Sequence, residues 1–184
     1  MKQPLTFITG NEKKAEQLSL LLGEDVQFKK LDLEEIQSLD VVEVASKKAQ
    51  AAFEIVGSAV LVEDTALAFN ALGGLPGPFI KWFLDTVGSE GLCRLLVGYS
   101  DRSAIATTCI ALCDKDGVKT FLGESNGVIS EIPSGVSDFG WNNTFIPDGS
   151  EITWAEMDVE NVQKDSMRTK AVEKLKAYLK ESEH

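Results

Sequence analysis

Val62-Glu63-Asp64-Thr65 sets two adjacent carboxylates after a short apolar run and ahead of the glycine- and proline-dense stretch Gly73-Gly74-Leu75-Pro76-Gly77-Pro78, which leads on to Lys81. A strand ending in acidic side chains beside a closely approachable backbone can hold a divalent metal against a phosphate chain. The same Glu-Asp-Thr would equally cap the element that follows, because caps use these residue types. A second cluster, Thr9-Gly10-Asn11-Glu12-Lys13-Lys14, follows the apolar, β-branched run Leu5–Thr9. A strand–turn–helix junction points backbone N–H groups at whatever lies above the turn, and Lys14 adds a compact positive charge, so a phosphate group suits it. Gly-Asn after a strand is also an ordinary turn, and the spacing is not that of a P-loop.

Other chemistries are excluded. The one histidine is His184, so neither a Ser-His-Asp nor a Cys-His mechanism is available within the chain, and histidine-rich metal sites are impossible. Acid–base work falls to carboxylates, lysines or water. Cys93, Cys109 and Cys113 are odd in number with no C-x-x-C pair, which argues against a disulfide framework and a structural zinc site and marks them as reduced core or strand thiols.

The elements that must position these residues follow from periodicity. Leu5–Thr9 predicts a buried strand, and Ala15, Leu18, Leu21 and Leu22 a helix after it. A second strand is expected over Val26–Leu31, with Asp32-Leu33-Glu34-Glu35-Ile36 as a solvated loop beyond it. A helix is expected from about Glu43 to Val56, burying Ala45, Ala49, Ala52, Phe53 and Val56, with Lys47 and Lys48 on its flank. Ala59–Val62 reads as a short central strand delivering Glu63 and Asp64. Phe79–Thr86 and Glu90–Val97 read as helices separated by Gly88. Ser103–Leu112 and Lys119–Gly123 read as antiparallel strands turning at Asp114–Gly117, with Gly127–Ile132 continuing the sheet. Asp138–Gly149 is an aromatic loop whose rings either clamp a flat base or pack a hydrophobic corner. A closing helix is expected from about Ser166 to Leu179.

At 184 residues and 43% hydrophobic, with no repeat, low-complexity tract or linker, the chain is expected to form one α/β domain over residues 1–184. A net charge of −11 argues against non-specific binding to nucleic acid or an anionic membrane, while leaving small phosphorylated ligands open. No apolar run approaches the roughly 20 residues of a membrane span, and no secretory signal layout is present, so a cytoplasmic protein is expected.

Taken together, Thr9-Gly10-Asn11 with Lys14, Val62-Glu63-Asp64-Thr65, Gly73-Gly74-Leu75-Pro76-Gly77-Pro78-Phe79-Ile80-Lys81-Trp82-Phe83, Asp138-Phe139-Gly140-Trp141 and Ala155-Glu156-Met157 closely resemble the inosine triphosphate pyrophosphatase family, over almost the whole chain. The resemblance implies an elongated, two-lobed α/β fold with a central twisted mixed sheet, a nucleotide cleft between the lobes, and a homodimer. It implies Mg²⁺-dependent hydrolysis of ITP, dITP and XTP to the monophosphate and pyrophosphate, with Mn²⁺ as a possible substitute. By the same resemblance Asp64 is the general base and a metal-associated carboxylate, and Glu35 the other metal ligand. Thr9, Gly10, Asn11 and Lys14 form the phosphate loop, Lys48 and Lys81 reach the nucleotide, and Thr65 follows the catalytic Asp. Phe139, Gly140, Trp141, Asn142, Met167 and Arg168 form the base-binding side.

The departures from the family fall on that base side. Asn142 replaces the Asp of F-G-W-D, Met167 replaces the His of S-H-R, and Val162 stands where a lysine is usual, with Lys164 displaced by two. Three readings stay open: the family reaction, the same chemistry on a different or broader nucleotide set, and a non-hydrolysing nucleotide-binding sensor.

Overall fold

The structure, a computed structural model, describes residues 5–23, 26–136 and 140–181. Thr6–Ile8 forms strand β1, and the chain turns through Thr9-Gly10-Asn11 into helix α1, Glu12–Leu22. Asn11 is the N-cap of α1: its side chain accepts a hydrogen bond from the backbone N–H of Lys14, satisfying one of the donors a helix start leaves free. Strand β2, Gln27–Lys29, pairs parallel to β1. Helix α2, Val41–Val56, starts two residues before the expected boundary and buries Val41, Val44, Ala45, Ala49 and Ala52, while Phe53 and Val56 are only half-buried.

Strand β3 departs from expectation. It spans Val60–Phe69 and so runs through Glu63, Asp64 and Thr65 instead of ending at them. Both carboxylates are therefore strand residues, and neither caps a following element. A 3-10 turn at Asn70–Leu72 and strand β4, Pro76–Gly77, carry the glycine–proline stretch back antiparallel to β3. Helix α3, Ile80–Arg94, is broken at Gly88, whose φ of 68° and ψ of −179° lie outside helical space and in a region that only glycine enters readily. Strands β5, Ser103–Asp114, and β6, Gly117–Ile129, are joined by Lys115-Asp116 alone, a hairpin connection. Strand β7, Phe145–Pro147, forms inside the aromatic stretch and pairs antiparallel to β6. Gly127 makes this pairing possible, because a Cβ there would lie 2.2 Å from the Ile146 carbonyl oxygen. Helix α4, Val159–Asp165, was not anticipated; α5, Met167–Glu181, is the expected closing helix.

The described strands form one mixed sheet of seven strands in the order β2-β1-β3-β5-β6-β7, with β4 also on β3; β1 is parallel to both β2 and β3. The chain divides into two compact units. The first comprises Met1–Asp64, Thr108–Gly123 and Arg168–His184, and the second Thr65–Thr107 and Glu124–Met167. In the first unit Ala15, Leu18 and Leu22 of α1 and Ala171, Val172 and Leu175 of α5 pack with Phe7, Leu61, Ile110, Leu112 and Phe121 of the sheet. In the second, Leu67, Phe69, Ile80, Leu92, Leu96 and Ile129 pack with Trp141, Phe145 and Trp154. Arg102 stiffens this unit by donating to the carbonyl oxygens of Cys93, Leu96, Ile129 and Ser130. All three cysteines are free and buried, and burial pushes the Cys109 thiol up to about 12.

Candidate active site

Successive side chains of a strand point to opposite faces. Glu63 and Asp64 therefore enter different surroundings and cannot share one ion, although their adjacency in sequence suggested that they could. Glu63 shares a face with Leu61, which packs against α1 and α5, and its carboxylate meets both helices: Lys14 Nζ lies 3.2 Å from Oε1 and Arg168 Nε lies 2.7 Å from Oε2. The Glu63 side chain is only 2% exposed. Burial acts to raise its pKa, but the charges and hydrogen bonds of Lys14 and Arg168 outweigh burial and hold the carboxyl below its ordinary value. Arg168 also donates to the Lys14 carbonyl oxygen and to Gln17 Oε1, so its guanidinium joins α5 to the first turns of α1. The phosphate-loop candidates sit at the start of this assembly. Thr9 Oγ1 accepts from the Asn11 N–H at 3.1 Å, and Gly10, Asn11 and the loop backbone are exposed.

On the other face, Lys48 projects from α2 and its ammonium lies 2.9 Å from Asp64 Oδ1 and 2.6 Å from Glu35 Oε1. This brings Glu35, Lys48 and Asp64 together. Burial would lower the Lys48 pKa, yet the charges of Asp64 and Glu35 and the hydrogen bonds to them hold it above its ordinary value. The Asp64 pKa is raised as well, because its burial raises it by more than Lys48 lowers it. Asp64 Oδ2 is buried with no hydrogen-bond partner. An ionised oxygen left unsatisfied beside a second carboxylate suits a hard cation, since Mg²⁺ takes oxygen ligands, commonly one or two carboxylates completed by substrate phosphates and water. Among the described residues no group of three or more acidic, histidine or cysteine side chains could hold a metal.

The remaining candidates lie in the second unit. Thr65 is half-buried on β3, and Lys81 is exposed in the first turn of α3. Gly140 is exposed at a φ of 49°. Trp141 is 6% exposed and packs against Phe145 and Trp154, with ring centroids 5.8 Å from each. Asn142 accepts a backbone bond from Ala155 through its carbonyl oxygen. Met167 and Val162 both pack against the cluster that contains Trp141. Phe139 lies outside the described residues. Sequence reasoning missed the structural part played by Glu63 and Gln17. Alternation along β3 separates Glu63 from Asp64, and Gln17 stands one helical turn after Lys14, so both signals were present.

The chain resembles known proteins over nearly its whole length. The chain is 46% identical over 178 residues to inosine triphosphate pyrophosphatase 2 of Trypanosoma cruzi (strain CL Brener), covering 95% of this chain and 91% of that one. It is 46% identical over 183 residues to inosine triphosphate pyrophosphatase of Yarrowia lipolytica (strain CLIB 122 / E 150), covering 96% of each. Among solved structures, a HAM1 protein from Coxiella burnetii superposes with a TM-score of 0.88 at 26% identity, covering 97% of this chain and 99% of that one. A nucleoside-triphosphatase (dITP/XTP pyrophosphatase) from Mycobacterium abscessus ATCC 19977 / DSM 44196 superposes with a TM-score of 0.77 at 26% identity, covering 94% and 98%. The Ham1 family model matches residues 5–178, nearly the whole length, and the chain belongs to that family.

Proposed function

We propose that this protein hydrolyses ITP, dITP and XTP to the nucleoside monophosphate and pyrophosphate. The observation that carries the reading is the buried, unsatisfied Asp64 Oδ2 on β3, with Glu35 and Lys48 beside it. It is supported by the relatives named for this activity at 46% identity. In the reaction, Asp64 orients a water and accepts its proton as the water attacks the α-phosphorus and the bond to the β-phosphate breaks. A carboxylate whose burial raises its pKa is a better proton acceptor than an ordinary one. Lys14, beside the N-terminus of α1, and Lys48, on α2, offer compact positive charges to the triphosphate oxygens. Glu35 and Asp64 would hold Mg²⁺, or Mn²⁺ in its place, which when bound neutralises charge developing on the phosphoryl oxygens. The family resemblance assigns phosphate contacts to Thr9, Gly10 and Asn11, and the remaining nucleotide contacts to Thr65, Lys81, Phe139, Gly140, Trp141, Asn142, Met167 and Arg168. The homodimer rests on the family resemblance, and the cytoplasmic location on the reading of the sequence alone.

The packing of Met167 and Val162 against an apolar cluster favours a second form of the reading, in which the chemistry is kept but base selectivity is broader. One experiment tests the proposal: pyrophosphate release across a panel of nucleoside triphosphates, with and without EDTA, for wild type and Asp64→Asn. The expected result is metal-dependent release from ITP and XTP and a loss of at least ~10²-fold in Asp64→Asn, the lower range for removing a general base. Full activity in EDTA, or near wild-type kcat in the variant, would overturn it.

A further inference from the structure

We infer that Lys48 is the resident counter-ion of the Glu35–Asp64 pair, and that a divalent ion must displace its ammonium before it can occupy both carboxylates. This rests on the reading of those two residues as metal ligands. The ammonium lies 2.6 Å from one carboxylate and 2.9 Å from the other, the position from which a single cation neutralises both. The Lys48 and Asp64 side chains are 17% and 15% exposed and come from a helix and a strand, so that half of the arrangement is set by the fold, while the Glu35 side chain that closes it is 55% exposed. A divalent ion and an ammonium sharing the same two carboxylates repel strongly at such separations. Asp64 Oδ2, buried and without a hydrogen-bond partner, has lone pairs that a bound ion would satisfy. Once the ion is seated, the flexible four-carbon stem lets the ammonium leave the pair and turn its charge to the triphosphate.

Two consequences follow. The apo site has low affinity for the metal alone, because the ion must replace a charge already satisfied. Metal and triphosphate also favour each other reciprocally, since the metal frees the ammonium and the triphosphate gives it a new partner. Lys48 therefore couples metal binding to triphosphate binding as well as contributing charge.

The test is direct Mn²⁺ binding, followed by electron paramagnetic resonance without nucleotide, in wild type, Lys48→Met, Lys48→Arg, Asp64→Asn and the Lys48→Met/Asp64→Asn double variant. Lys48→Met should bind Mn²⁺ at least about tenfold more tightly than wild type, and Lys48→Arg should stay weak. In parallel, wild-type protein with ¹⁵N-labelled lysine, titrated with Mg²⁺, should show the Lys48 ammonium signal moving as the ion binds, a readout that needs no folded variant. If Lys48→Met binds no more tightly while Asp64→Asn loses binding, the metal site stands and the displacement falls. If the double variant binds as tightly as Lys48→Met, the ion sits elsewhere and the ligand reading falls with it. A Lys48 signal unmoved at saturating Mg²⁺ also overturns the displacement.

Discussion

Glu63 shows how one buried carboxylate ties three elements together. Its two oxygens accept from Lys14 and Arg168, so α1, β3 and α5 are tied at one point. Because its pKa is lower in the folded than in the unfolded chain, the folded state binds fewer protons between the two values and stability rises with pH there. The contribution is fully present above the ordinary value of 4.5 and is lost as pH falls through the folded value. Glu63→Gln leaves two cations facing a neutral amide and should cost about 3–5 kcal/mol at pH 7, as for other buried pairs that lose one partner. Urea unfolding at pH 7 and at decreasing pH should show the gap between wild type and variant narrowing below 4.5. A gap independent of pH would mean that the contribution is one of packing. The departures on the base side bear on selectivity. A 6-oxo purine presents an acceptor at O6 and a donor at N1, and adenine the reverse, so discrimination comes from groups left unpaired by the wrong base. Met167 offers only a weak thioether acceptor and Asn142 can present either polarity. Two missing neutral contacts of about 0.5–1.5 kcal/mol each correspond to roughly 5- to 150-fold. We expect kcat/KM to separate ITP and XTP from ATP less sharply in wild type than in Asn142→Asp, Met167→His. If the double variant discriminates no better, the aromatic residues and backbone set selectivity.

At the scale of elements, α2 carries Lys48 and depends on its start. Asp40 is the N-cap, its Oδ1 accepting from the Val42 N–H at 2.8 Å. Ser38 completes the cap, accepting from the Asp40 N–H and donating to Glu43 at 2.6 Å, so Glu43 supports the capped end through a hydroxyl relay. Asp40→Ala should lower stability by about 0.5–2 kcal/mol in urea unfolding, with Ser38→Ala costing less. An unchanged midpoint in Asp40→Ala would show that tertiary packing alone holds the first turn. The start at Val41 was legible, since Asp40-Val41-Val42-Glu43 is a capping pattern, but apolar periodicity alone put the boundary at Glu43. Strand β3 was read too short for a related reason. Acidic residues suggest a strand end, whereas Glu63 remains in the strand because Lys14 and Arg168 neutralise it, which only tertiary contact can supply. The α3 break was visible in Gly88 and the β5–β6 turn in Asp114–Gly117, because backbone chemistry marks both locally. Helix α4 went unread because Val159–Asp165 is seven residues long, too short to set up a clear period.

The whole molecule alternates between its two compact units along the chain, crossing after residues 64, 107, 123 and 167. Three of these crossings fall inside β3, β5 and β6, and the last at the first turn of α5, so no linker composition marks them. This explains why Thr9, Lys14, Glu35, Lys48 and Asp64 could be picked out by motif while the ion pairs among them could not. Those pairs join residues from distant stretches of one unit. The net charge of −11 acts at the same scale. The substrate is a polyanion, so out to about a Debye length, ~30 Å at 0.01 M salt and ~10 Å at 0.1 M, it meets repulsion from the molecule as a whole. In the proposed reading Lys14 and Lys48 dominate only at close range. Screening the long-range repulsion should therefore raise the encounter rate before it weakens the short-range contacts, which are less screened because they are partly buried. We expect kcat/KM for ITP, measured well below KM at constant free Mg²⁺, to rise severalfold from about 0.01 to 0.1 M salt and then to flatten. A steady fall over that range would mean that a local positive field at the site outweighs the net charge even at a distance, and that the lysines steer the substrate as well as hold it.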